Sequence, residues 1–365
     1  MKKLPGQLAL LFLFIGCSTE VEVWNQHCAD AKNTCYTKNK APQNKPEVSW
    51  VFETGDDVDS SPAIDKNHVY FGSRDKVFYA LDRKTGEMAW KFQTGGYIDT
   101  SPAISGELIF FGSRDRHLYA LNKQTGEPFW KFKTNGFITK SPALSDHWVI
   151  IGSRDKNLYA IDIQSGQLVW SFQANAKIGS SPAIHDSRVY FGSWDNNFYA
   201  VDLASGQEIW RFETESYINS SPSVDNDAIY FGNQNGTFFS VNSQTGKKNW
   251  SYQALEGIRS NPGIGDGIVF FGCYGNHVYA LDSSNGELIW SNQVEGPVLS
   301  NPVISGTSVL ISSWRGNLYS FDSETGRLNW DYSVEGNFVS SPIPANGAIF
   351  IGVRQRQNGQ FLSLE

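Results

Sequence analysis

Four aspartates fall in two short stretches: Asp56, Asp57 and Asp59 in one, Asp99 in the other. Carboxylates grouped this way could share a cation. Calcium, however, takes about 6–8 oxygens from a shaped loop, and no EF-hand spacing accompanies these acids. They are expected to be solvated, with no tightly held metal. The six histidines (His27, His68, His117, His147, His185, His277) follow no zinc-ligand spacing. His68, His147 and His185 lie in or beside one class of turn, and His117 and His277 in another, so exposed turn positions account for them. No His-Glu-x-x-His, Gly-x-Ser-x-Gly or P-loop pattern occurs. No catalytic residue is assigned, no cofactor is expected, and the chain reads as a non-enzyme.

Arginine and aromatic residues offer recognition chemistry instead. After a recurring Gly-Ser pair or its variant, the chain places Arg74, Arg114, Arg154, Trp194, Gln234, Tyr274, Trp314 and Arg354. Two positions on stand Lys76, Arg116, Lys156, Asn196, Gly236, Asn276, Gly316 and Arg356. In a closed ring, these positions divide one face into a basic half and an aromatic half. Arg makes planar bidentate contacts to carboxylate or phosphate, and Tyr, Trp and Arg are enriched at interface hot spots. Arg74, Arg114, Arg154, Arg354, Arg356, Trp194, Tyr274 and Trp314 are therefore candidate partner-binding residues. The competing explanation is plain turn chemistry, with Asp75, Asp115, Asp155 and Asp195 capping and neutralising the turns. If the docking explanation holds, reversing Arg74, Arg114 and Arg154 to Glu should abolish partner capture and leave thermal stability nearly unchanged.

The elements that position these residues are repeats. Trp50, Trp90, Trp130, Trp170, Trp210, Trp250, Trp290 and Trp330 stand forty residues apart. A period of about 40–45 residues suits a four-stranded propeller blade. In residues 61–92, short aromatic and β-branched runs alternate with Asp-, Asn- and Gly-containing turns, the signal for antiparallel strands. Each periodic Trp is expected to wedge between blades as packing. Eight Pro residues, Pro62 to Pro342, open first strands, but the Thr-Gly-type turns number seven, Gly86 to Gly326. The missing outer strand of the last repeat is expected from Val48 to Phe52, closing one eight-bladed, all-β domain over residues 47–365 without a free sheet edge.

Lys2 and Lys3, the apolar run Leu8 to Ile15, and Gly16-Cys17 read as a secretion signal over residues 1–16. The run is too short to span a bilayer as a helix, which needs about 20 residues. Without residues 1–16 the chain loses two lysines and no acid, and its formal charge falls from −7 to −9. Such acidity argues against nucleic-acid binding. Residues 17–46 are polar and lack the repeat, as a tether would. Cys28 and Cys35 within them are expected to clip a loop as a disulfide in an oxidising compartment. Cys273 replaces a Ser of sister repeats and is expected to be a buried thiol.

The Gly16-Cys17 step after its apolar run resembles a bacterial lipobox. That resemblance implies lipidation (palmitate included) at Cys17; Ser18, which is not Asp, implies the outer membrane, facing the periplasm. The Tyr-Ala-Leu-Asp…Thr-Gly…Trp pattern, as in Tyr79–Trp90 and Tyr279–Trp290, resembles the PQQ-type repeat. Quinoprotein alcohol dehydrogenases and the BamB lipoproteins of the outer-membrane β-barrel assembly machinery share that repeat. The dehydrogenases are longer, with an axial cofactor, a calcium site and an adjacent-Cys disulfide that this chain lacks. The resemblance therefore implies a non-enzymatic periplasmic scaffold, a monomer within a complex, that docks the assembly machinery. A polyanion- or small-ligand-binding module is the alternative, and a PQQ-dependent oxidoreductase the third possibility.

Overall fold

The computed structural model describes residues 24, 26–38, 40–355 and 358–365. The signal segment, Cys17 and Arg356 lie outside the described residues. Eight antiparallel sheets form an eight-bladed propeller. Blade 1 uses Ala63–Ile64, His68–Gly72, Val77–Asp82 and Met88–Gln93 from the axis outward. Blade 8 takes Ile343–Ala345, Ala348–Val353 and Gln360–Leu364, and Val48–Glu53 supplies its outer strand. Phe52 pairs with Phe361 and Glu53 with Gln360, so the chain closes its ring with the strand expected from the sequence.

Each outer strand carries a bulge just before its Trp: Ala80 opposes Trp90, but Leu81 opposes Met88. The extra residue re-aims the strand locally. The Trp90 indole N–H donates to the Lys123 carbonyl of the next blade at 2.9 Å, and its ring covers Gly126 there. A Cβ on Gly126 would lie 2.4 Å from that ring, and the residue has a φ of 74°. Glycine thus serves both the turn and the Trp dock. Trp330 has no such turn ahead of it, and its indole donates instead to the Pro42 carbonyl at 2.9 Å. Stacked phenylalanines add contacts between blades, as in Phe78–Phe111 and Phe198–Phe231, with ring centroids 4.0 and 4.1 Å apart.

Two rings of hydrogen bonds organise the axis. The backbone N–H of Ser101 donates to the Ser141 hydroxyl oxygen at 2.9 Å, and the same step repeats from Ser141 to Ser181 and Ser181 to Ser221. Asn261, Asn301, Ser341 and Ser61 carry it on around the ring. The second ring involves the stretch read from sequence as a tether. Its described residues are built into the propeller. The carbonyls of Ala31, Lys32, Thr34 and Cys35 accept from Ile184, Val224, Ile264 and Ile304, the inner strands of blades 4 to 7, at 2.7–2.9 Å. Trp24 bridges to Ile64 of blade 1, and Tyr36–Thr37 adds a parallel strand to blade 7. The Asn33 amide donates to the carbonyls of Pro182 and Pro222. Cys28 and Cys35 are disulfide-bonded, and their loop plugs one end of the axis. Carbonyls of almost any sequence could make these contacts, so composition alone does not reveal the plug.

Candidate functional site

The face opposite the plug carries the links between blades and the turns between second and third strands. Asp75 builds one such corner. Its carboxylate accepts from Val77 N at 2.8 Å, from Gly55 N of the preceding link at 2.9 Å, and from the Tyr79 hydroxyl at 2.7 Å. Asp115, Asp155 and Asp195 repeat the arrangement with Tyr119, Tyr159 and Tyr199. These aspartates therefore cap turns and fix links, and the neighbouring arginines find their partners elsewhere.

Those partners are the aspartates expected to be solvated. Arg74 reaches Asp59 at 2.9 Å, Asp99 at 3.4 Å and Asp57 at 3.9 Å. Arg114 donates to Asp99, and Arg354 forms a two-pronged pair with Asp59 and also approaches Asp57. The Asp59 side chain is only 7% exposed. Asp57 is pushed above the usual carboxylate range, first by burial and against the pull of Arg354. This correction has a physical reason: a carboxylate enclosed at the ring mouth needs a charged partner, and three arginines supply it. Among the described residues, no group of three or more His, Cys, Asp or Glu is placed to hold a metal ion.

The aromatic positions are also occupied differently from the sequence expectation. Lys177 sits 3.0 Å from the Trp194 ring centre, Arg259 is 4.9 Å from Tyr274, and Arg354 is 5.0 Å from Trp314. Trp194 stacks on Tyr217 and donates its indole N–H to Asn219. The link cations Lys177 and Arg259 thus lie over turn aromatics, and the turn residue Arg354 lies over Trp314. Of the four turn arginines, those of blades 8, 1 and 2 are neutralised, whereas Arg154 of blade 3 is not. Arg154, Lys140, Lys177 and Arg259 form no ion pair among the described residues. Arg154 is exposed and, with Arg114 and Lys177, lines an open groove of about 700 Å³ that includes Phe137. Trp314 and Arg354 line another of about 740 Å³ with Glu335 and Asn337.

The missed signal is a spacing of twenty-five. Arg74 meets Asp99, Trp194 meets Asn219, and Gln234 meets Arg259, each turn residue bonding the link residue 25 positions later. Arg354 meets Asp59 by the same step carried across the ring closure. The link residue at this step from Arg154 is Gly179, which offers no side chain.

His27, on the plug, forms the floor of the axial funnel and faces the Asn261 amide. Burial, with Lys140 adding, pushes its imidazole down to about 4, so it is neutral at pH 7. Cys273 is buried and unbonded to another cysteine.

The comparisons agree with this architecture. The family model described as outer membrane protein assembly factor BamB matches residues 22–252, 253–345 and 302–364. BamB from Moraxella catarrhalis matches with a TM-score of 0.75 at 18% identity, covering 88% of this chain and 99% of that one. The quinohemoprotein alcohol dehydrogenase of Comamonas testosteroni matches at 0.82 and 15% identity, covering 94% and 80% of the two chains. A europium-containing methanol dehydrogenase matches at 0.79 and 13% identity, covering 95% and 98%. At these identities the solved structures share the fold alone. No curated protein matches the chain. The family model spans the propeller and the described plug, and the chain belongs to the family of the outer membrane protein assembly factor BamB.

Proposed function

We propose that this chain is a non-enzymatic, outer-membrane-anchored periplasmic scaffold that docks protein partners and assists assembly of β-barrel outer-membrane proteins. The observation that carries this reading is the family match from residue 22 to residue 364. The anchor is the lipid expected at Cys17, and the chain works as a monomer within a complex. Docking uses the link face. Arg154 and Trp194 lead it, because they are exposed and the neighbouring Lys177 is uncompensated. Arg74, Arg114 and Arg354 border the same surface but are held inward by aspartates, so they shape it more than they reach from it. Arg356, which lies outside the described residues, is a further proposed partner-binding residue.

A rigid ring suits this work. Its backbone is tied blade to blade, so a partner meets a preformed surface and little ordering cost. The fold shared with quinoprotein dehydrogenases keeps a PQQ-dependent oxidoreductase as the competing reading. The test is in-cell crosslinking and affinity capture of the lipidated protein, read by mass spectrometry. Recovery of the β-barrel assembly proteins is the expected result. Their absence, with bound quinone absorbance in the purified protein, would replace this reading with the enzymatic one.

A further inference from the structure

The axial funnel contains a buried charge that docking does not use. Its cavity of about 140 Å³ is lined by Lys140, Arg259, Asn261, Asp59, Asp99 and the serine ring, over His27. That space suits a few waters or one small ion. The Lys140 residue keeps part of its surface open to the funnel, while its ammonium is enclosed. The ammonium donates to the Asn219 carbonyl at 3.1 Å and forms no ion pair among the described residues. Burial pulls it down to about 8, and Arg259 and then Arg154 push the same way. A buried cation facing like charges, with no carboxylate to answer it, destabilises a fold. The acids across the funnel do not answer it, because Asp59 and Asp99 are already engaged by Arg74, Arg114 and Arg354. The ring hydroxyls of Ser141, Ser181 and Ser221 each accept a backbone bond, which leaves their own protons to give.

We propose that this funnel binds a small oxyanion, a carboxylate or phosphate, with Lys140 and Arg259 as charge partners and the ring hydroxyls as further donors. The site opens on the link face but uses Lys140 and Arg259 rather than Arg154 and Trp194, so its test does not depend on the docking reading. The test is thermal melting of the full chain in detergent at pH 7, with inorganic phosphate or succinate added at matched ionic strength. At saturation, at least one anion is expected to raise the wild-type melting temperature by about 2–5 °C. Lys140→Met and Arg259→Gln should lose that rise. Without anion, Lys140→Met should melt above the wild type, because an unanswered charge has been removed. A rise with phosphate alone identifies a phosphate site, and a rise with succinate alone a carboxylate site. No rise with either anion overturns the proposal. So does an equal rise in the variants, or a Lys140→Met protein that melts below wild type and keeps the rise. If Lys140→Met fails to fold, Arg259→Gln carries the comparison alone.

Discussion

Around blades 8, 1 and 2, Arg74, Arg114 and Arg354 meet Asp57, Asp59 and Asp99. Around blades 3 to 6, Lys140, Lys177 and Arg259 meet a carbonyl, aromatic rings and an amide instead, and Arg154 forms no ion pair among the described residues. The turns of the two regions are built on the same repeat, and Arg74 and Arg154 occupy equivalent places in it. What separates them is the link residue that each turn faces. An arginine beside an enclosed aspartate becomes part of the ring's framework. An arginine beside a glycine keeps its hydrogen-bonding capacity for a visitor. Charge counted from turns alone therefore groups Arg154 with Arg74, Arg114 and Arg354, although only the last three meet aspartates.

Packing within the ring sets the scale against which both halves are measured. Trp170 is buried and bonded to the Leu203 carbonyl of the next blade at 2.8 Å. Trp170→Ala should cost about 3–5 kcal/mol in urea unfolding; an unchanged midpoint would remove the packing account of the periodic Trp. In the neutralised half, Asp59→Ala leaves Arg74 and Arg354 without their main partner. The loss should be about 2–4 kcal/mol, slightly below that of a fully buried pair because the arginines keep some exposure. A loss under about 0.5 kcal/mol, the size of an ordinary surface substitution, would place the acids back in solvent.

The uncompensated half should respond with the opposite sign. Lys140→Met should stabilise the protein at pH 7 by about 1–3 kcal/mol. The pH dependence follows from the direction of the shift. The Lys140 pKa is lowered from 10.5 to about 8 on folding. Between those values the unfolded chain binds the proton and the folded chain does not, so this group makes stability rise with pH. The advantage of Lys140→Met should therefore shrink as pH climbs from 8 to 10.5, and melts at paired pH values will show it. A constant advantage across that range would mean that charge is not the cause. The smallest effect belongs to Arg154→Glu, which should change stability by less than about 0.5 kcal/mol. Reversing Arg74 or Arg114 should not be similarly silent, because Glu there would face Asp59 or Asp99. The triple reversal of Arg74, Arg114 and Arg154 thus mixes docking with stability, and Arg154→Glu alone keeps them apart.

The architecture was legible because repetition makes it so. The Trp spacing, the Thr-Gly turns and the alternation of strand and turn all carry the same period, and the seven-to-eight mismatch pointed to the closing strand. The plug was not legible. It binds through its own carbonyls to inner-strand N–H groups, and neither side of that contact is specified by residue type. The electrostatics were half legible. Turn residues and link residues each showed their chemistry, but the contact between Arg74 and Asp99 lies in the step of twenty-five that joins them. Arg74 is held by Asp59 fifteen residues before it and Asp99 twenty-five after it, where Arg154 has Thr139 and Gly179.

The central claim is that the chain docks the outer-membrane assembly machinery through the uncompensated half of its link face. The direct measurement places a photo-crosslinking residue at position 154 or at position 74 of the lipidated protein in cells, and identifies what each captures. The account predicts β-barrel assembly proteins from position 154 and little from position 74. Capture from position 74 with none from 154, or no assembly protein from either, would contradict it.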